Sequence, residues 1–133
     1  NYASLTGSIH TVFGWKLNVT VETKERTLRN FPCQANGAEI LRLACCLTTE
    51  RGIAVCAPVH DALVVEGPAD SIDDIVQATQ QAMREAVEIV LNGFTLNSDA
   101  VIVRHPDRFT DPRGVQMWNR ITSIVEDLGH ERS

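Results

Sequence analysis

Residues 52–68 read GIAVCAPVHDALVVEGP, and the fold turns on that stretch. Two apolar runs, residues 53–59 and 62–65, flank one polar pair, His60-Asp61. Each run has the length of a strand, is rich in Val and Ile, and is closed by Gly or Pro. That pattern predicts two buried strands joined by a tight turn. A carboxylate at such a tip would sit at the edge of an apolar sheet, partly desolvated, with no Lys or Arg beside it in sequence. Burial of that kind is costly unless a cation or a proton meets the charge. Asp61 therefore reads as a metal ligand. The plainer alternative is a turn aspartate whose side chain bonds its own backbone.

Downstream, Pro68 ends the second strand and Asp70 or Ser71 caps a helix, with Asp73 and Asp74 in its first turn to complement the dipole. Ile72, Ile75, Val76, Thr79, Met83, Ala86, Val87 and Val90 mark its buried face, and Asn92-Gly93 is its stop. Residues 94–103 alternate as a strand, with Phe94, Leu96, Ala100 and Ile102 on one face, and His105-Pro106 breaks it. A last helix, residues 112–128, has Val115, Trp118, Ile121, Ile124, Val125 and Leu128 as its apolar side.

Upstream, the period is again helical from Thr23. Arg26, Asn30 and Gln34 fall at i, i+4 and i+8 and would share one face, by default a solvated one. Pro32 should kink this element or start a new helix capped by Asn30. Cys33, Ile40, Leu41, Ala44, Cys45 and Thr48 form the apolar stripe to about Thr49, while Gly37 and Ala38 leave one side thin enough for close approach. Before it, residues 9–13 and 17–21 are β-prone and could make a hairpin around Gly14-Trp15-Lys16. The first eight residues carry no cap or leader and read as the continuation of something upstream. The order predicts an α+β fold: a βαββαβ antiparallel sheet with two helices on one face, plus a C-terminal helix.

At 133 residues the chain is the size of one domain, and its 44% hydrophobic and 22% charged content is ordinary for a globular protein. No apolar run approaches membrane-helix length, so no membrane partner is expected. Cys33, Cys45, Cys46 and Cys56 lack C-x-x-C spacing and are expected to be reduced, mostly buried thiols in a cytoplasmic protein. The net charge of -5 is uneven: residues 1–60 carry six Lys/Arg and four Asp/Glu, residues 61–133 six and thirteen. Phosphate contacts need basic groups, so any nucleic-acid face belongs in the first half.

Three stretches carry a resemblance. Gly7-Ser8-Ile9-His10-Thr11-Val12-Phe13-Gly14, Arg26-x-x-x-Asn30-x-Pro32-x-Gln34-x-x-x-Ala38-Glu39-Ile40 and Val59-His60-Asp61-Ala62-Leu63 resemble, in order and spacing, the C-terminal palm of family A DNA polymerases, the bacterial type I repair polymerases and their phage relatives. The match spans about residues 7–105. It implies template-directed nucleotidyl transfer in DNA replication or repair, with two Mg²⁺ ions and with primer-template DNA and dNTP as partners. By the same resemblance Asp61 is one of two metal-holding aspartates and His60 lies beside the primer terminus. Arg26, Asn30 and Gln34 would touch template and primer, Asn30 and Gln34 in the minor groove, whose acceptors are nearly independent of sequence.

The departures are specific. Ala62 stands where the family has glutamate, Ala35, Asn36 and Gly37 alter the run after Gln34, and Trp15 replaces a basic residue. The other metal aspartate and the nucleotide-binding fingers helix would lie upstream of Asn1, so these residues alone are expected to be inactive. A different class of function is a free-standing βαββαβ module binding a small ligand or protein partner, with Asp61 in an ordinary turn. A phosphohydrolase built on His60-Asp61 is disfavoured, because that chemistry wants the doublet on a helix among further ligands.

Overall fold

The computed structural model describes residues 2–130 and divides the chain into two units, residues 1–100 and 101–133. The fold is α+β with a C-terminal helix. In the first unit the elements run α1 (Tyr2–Thr6), β1 (Ser8–His10), β2 (Lys16–Asn18), α2 (Glu25–Glu50), β3 (Ala54–Val59), β4 (Ala62–Glu66) and α3 (Ile72–Val90). The second unit holds α4 (Val115–His130).

Helix α2 is a single 26-residue element that runs through Pro32, with Lys24 at its N-cap. The expected break at Pro32 and cap at Asn30 are not formed. Proline removes one donor, the bond to the Leu28 carbonyl, and that loss is small beside the packing of the remaining turns. The helix ends where Gly52 takes φ 74, a left-handed conformation that costs glycine nothing, and its amide bonds the Thr49 carbonyl at 2.9 Å.

Helices α2 and α3 pack together. Ala35, Glu39, Ala44 and Thr48 are buried on α2; Thr79, Ala82, Ala86, Val87 and Val90 are buried on α3. Small residues let the two backbones approach. Of the anticipated face of α3, Thr79, Ala86, Val87 and Val90 are fully buried, while Ile72, Ile75, Val76 and Met83 are half-buried. Arg51 ties the pair at one end, donating to the Ala78 carbonyl at 3.1 Å and pairing with Glu85. Past α3, the Gly93 amide wraps back to the Glu88 carbonyl at 2.7 Å, closing the helix at the expected Asn92-Gly93 stop.

The strands form two separate antiparallel pairs rather than one sheet. β1 pairs with β2 in the register Ile9↔Leu17, shorter than the β-prone runs of the sequence. β3 pairs with β4 from Ala54↔Glu66 to Val59↔Ala62, with a bulge at Cys56. One face of this second hairpin (Val55, Ala57, Leu63, Val65) is half-buried and the hairpin leans on α2; the other faces solvent. Residues 94–103 contribute no strand. Alternation fits a segment to a pleated surface, but a strand exists only when a neighbour accepts its hydrogen bonds. The hairpin is therefore an exposed two-stranded ribbon, not a mid-sheet pair, and the expectation of two buried strands is corrected. The cysteines are corrected likewise: Cys33, Cys46 and Cys56 are exposed and Cys45 half-buried.

In the second unit the His105–Pro106 peptide is cis. Ahead of α4, Arg113 clasps Asp111 with Nη2–Oδ2 at 2.8 Å, and this guanidinium holds the Asp111 carboxyl below its ordinary range. The clasp is thus complete at neutral pH and is lost only as pH falls through that lowered range. The apolar side of α4 is exposed along its length.

These environments separate two substitutions of similar chemistry. Val64 is 46% exposed, so Val64→Asp should lower stability by about 1 kcal/mol or less. Val90 is 2% exposed against α2, so Val90→Asp should cost about 4 kcal/mol or more by burying an unpaired charge. Urea melts followed by far-UV circular dichroism distinguish them, and equal losses would mean the hairpin carries the core.

Candidate functional site

A cleft of about 650 Å³ lies between α2 and the turn of the β3–β4 hairpin. Gln34, Gly37, Ala38, Leu41 and Arg42 form its helical wall, with Cys33, Cys45 and Cys46 beside them; Pro58, His60 and Asp61 face them from the turn. Residues 34 and 61, distant in sequence, thus meet at one site. Gln34, Ala38 and Arg42 are one helical turn apart and line up along the wall.

Asn30 and Arg26, exposed on the same helix, continue the row from Gln34 away from the cleft by about 6 and 12 Å. Nothing in the fold requires glycine at position 37. A Cβ there would meet nothing within 4 Å, while glycine inside a helix costs about 1 kcal/mol against alanine. The thin wall foreseen from Gly37 and Ala38 opens onto the cleft. Burial, and then the adjacent Cys46, push the Cys45 thiol up, so it stays protonated at neutral pH.

The turn itself departs from the sequence expectation. His60 and Asp61 are 87% and 89% exposed, with His60 Nδ1 3.4 Å from Asp61 Oδ1. Because the hairpin has only two strands, its tip projects into solvent and Asp61 is not desolvated. The argument from burial for a metal at Asp61 therefore falls. Among the described residues no three His, Cys, Asp or Glu side chains are grouped to hold a metal ion. Asp61 offers one carboxylate, and Glu66 lies at the far end of β4. Mg²⁺ keeps its waters and is held by carboxylates together with substrate phosphates.

His60 has φ 55, a left-handed conformation that costs a non-glycine residue about 1 kcal/mol. The hairpin holds its tip residue, which lines the edge of the cleft, in a disfavoured state.

A second polar cluster went unread in the sequence. Glu39 is 1% exposed. Its Oε1 accepts from the Thr11 hydroxyl at 2.8 Å, and its Oε2 pairs with Arg42, which also lines the cleft. The Thr11 oxygen accepts in turn from the Trp15 amide at 2.8 Å, while Asn36 Oδ1 accepts from the Val12 amide at 3.2 Å. This network fastens the β1–β2 turn to α2. Only the i, i+3 spacing of Asn36, Glu39 and Arg42 hinted at it.

Comparison of the chain with protein families, with characterised proteins and with solved structures finds no match.

Two substitutions test this geometry. Thr11→Val leaves a buried Glu39 oxygen without its donor and should lower stability by about 1–3 kcal/mol. His60→Gly relieves the left-handed backbone and should raise stability by about 1 kcal/mol. Opposite signs in urea titrations are the expected result. A His60→Gly protein no more stable than the parent would mean that the turn is unstrained.

Proposed function

We propose that this chain is the palm part of a family A DNA-directed DNA polymerase, working in the cytoplasm on primer-template DNA. The observation that carries this reading is the cleft, which brings Gln34 of the second quoted stretch beside His60-Asp61 of the third. Gly37 leaves that wall open, as a surface that receives a bulky polymer needs. Arg26, Asn30 and Gln34 lie along one exposed row in the less acidic half of the chain, the arrangement a helix needs to track a duplex. His60 sits where a primer end would meet the turn. Asp61 supplies one oxygen ligand for a divalent metal, and the further carboxylate and the nucleotide-gripping helix come from a segment outside these residues.

The experiment has two arms. Anisotropy titrations with primer-template duplexes of different sequence should give equal affinities that fall steeply with salt. The triple variant Arg26→Ala/Asn30→Ala/Gln34→Ala should bind at least about tenfold more weakly. Reconstituted with an upstream segment bearing a second aspartate and the fingers helix, the chain should extend a primer. Asp61→Asn should abolish extension and leave duplex binding unchanged. Unaltered extension by Asp61→Asn would return Asp61 to the role of a turn residue.

A second reading, a non-enzymatic module binding a small ligand or protein partner, is favoured by a different feature. A cleft of about 520 Å³ opens at the base of the same hairpin, lined by Arg51, Ile53, Glu66, Pro68 and Ile75, away from His60-Asp61. Amide chemical-shift mapping separates the two: duplex DNA should perturb residues around Gln34 and His60. Perturbation confined to Ile53 and Ile75, by small ligands alone, would support the second reading.

A further inference from the structure

We infer that Arg42 is a contact for a backbone phosphate of the duplex that the cleft receives, an inference that rests on the palm reading above. Among the described residues lining the cleft between α2 and the β3–β4 turn, Arg42 is the one Lys or Arg. The other ionisable groups of that lining are Cys33, Cys45 and Cys46 on its own helix, and His60 and Asp61 across the cleft. Asp61 repels an anion from the turn, so a phosphate entering the cleft is drawn to the helical wall.

A cation at this position has a plain structural use, because it neutralises Glu39. That use consumes little of the guanidinium. The Glu39 side chain is 1% exposed, whereas that of Arg42 is 65% exposed. Glu39 Oε1 is occupied by the Thr11 hydroxyl at 2.8 Å, and its Oε2 by Arg42 Nη2. One nitrogen of the guanidinium is thereby anchored to a carboxylate that is itself fixed, and the rest of the group stands at the cleft wall. Arginine carries five N–H donors in a planar fork that suits phosphate oxygens. A head group already held in place loses less freedom on binding than a loose one. Pairing with Glu39 weakens the pull of Arg42 on distant anions, so the contact is short-ranged and made by hydrogen bonds once the duplex is seated.

Spacing selects the phosphate over the bases. In the palm reading Gln34 lies in the minor groove, which is about 6 Å wide. Arg42 is two turns further along α2, about 12 Å from Gln34. A helix that crosses the groove at Gln34 therefore carries Arg42 past its rim, where the phosphates are. Such a contact positions the duplex without reading its sequence.

Fluorescence anisotropy of the full chain with primer-template duplexes, repeated over a range of salt concentrations, tests this. Arg42→Ala should raise Kd about fivefold or more for every duplex sequence, and Arg42→Lys should recover most of that loss. Arg42→Ala also leaves Glu39 buried without its cation, so circular dichroism checks that the variant is folded. Should it fail that check, Glu39→Gln and Glu39→Gln/Arg42→Ala decide, because glutamine keeps an acceptor for Thr11 and needs no cation. Against Glu39→Gln, the double variant should bind about fivefold more weakly, with a salt slope lower by about 0.9, the share of one phosphate. A purely structural role would leave that slope unmoved. Equal affinity and equal slope in this comparison would overturn the inference. So would binding of inorganic tripolyphosphate that depends on Arg42 while duplex binding does not, which would assign Arg42 to a nucleotide instead. A parent chain that binds no duplex would overturn the palm reading, and the inference with it.

Discussion

The close approach of α2 and α3 is the constraint on which the first unit depends. Ala44, Ala82 and Ala86 are wholly buried between them, with Thr48 and Val90 alongside. Alanines there bring the helices together without the entropy loss of ordering long side chains. Each gains little burial, so the contact works only if α2 is continuous enough to present several such positions in a row. One local penalty remains inside the contact: the Thr48 hydroxyl oxygen is buried without a hydrogen-bond partner. An apolar β-branched residue would fill the same space, so stability has not been maximised at this joint.

Both hairpins depend on α2 by different physics. β3–β4 leans one half-buried face on it, a contact set by apolar area and tolerant of small shifts. β1–β2 is fastened through Glu39 and Asn36, a contact set by hydrogen-bond geometry and intolerant of them. Arg42 links the two, because it pairs with Glu39 and also lines the cleft where His60 and Asp61 project. A change at the β1–β2 turn therefore has a direct route to the cleft wall. The exposed carboxylate at the cleft differs in kind from a desolvated one. Any metal it holds must be retained by groups that other segments or a substrate bring.

Several features were legible in the sequence because their causes are local. The acidic first turn of α3, its Asn92-Gly93 stop and the apolar spacing of α3 and α4 all follow from neighbouring residues. So do the strand runs on either side of His60-Asp61 and the common helix beneath Arg26, Asn30 and Gln34. What the sequence could not show is which apolar faces find partners. Residues 94–103 alternate as a strand should, yet form none, and the apolar face of α4 lies open, because pairing is a property of two segments and periodicity of one.

The candidate site divides along the same line. The sequence by itself determined that His60-Asp61 is a turn, that Gln34 is on a helix, and that Gly37 keeps that helix thin. Only the tertiary structure decided that Gln34 and Asp61 share a cleft, that Asp61 stands in solvent rather than at a buried sheet edge, and that Glu39 is an interior residue. The reason is physical: backbone conformation is set within a few residues, whereas desolvation is set by whatever packs from elsewhere in the chain. A two-stranded ribbon has nothing beyond its edges to exclude water from its tip.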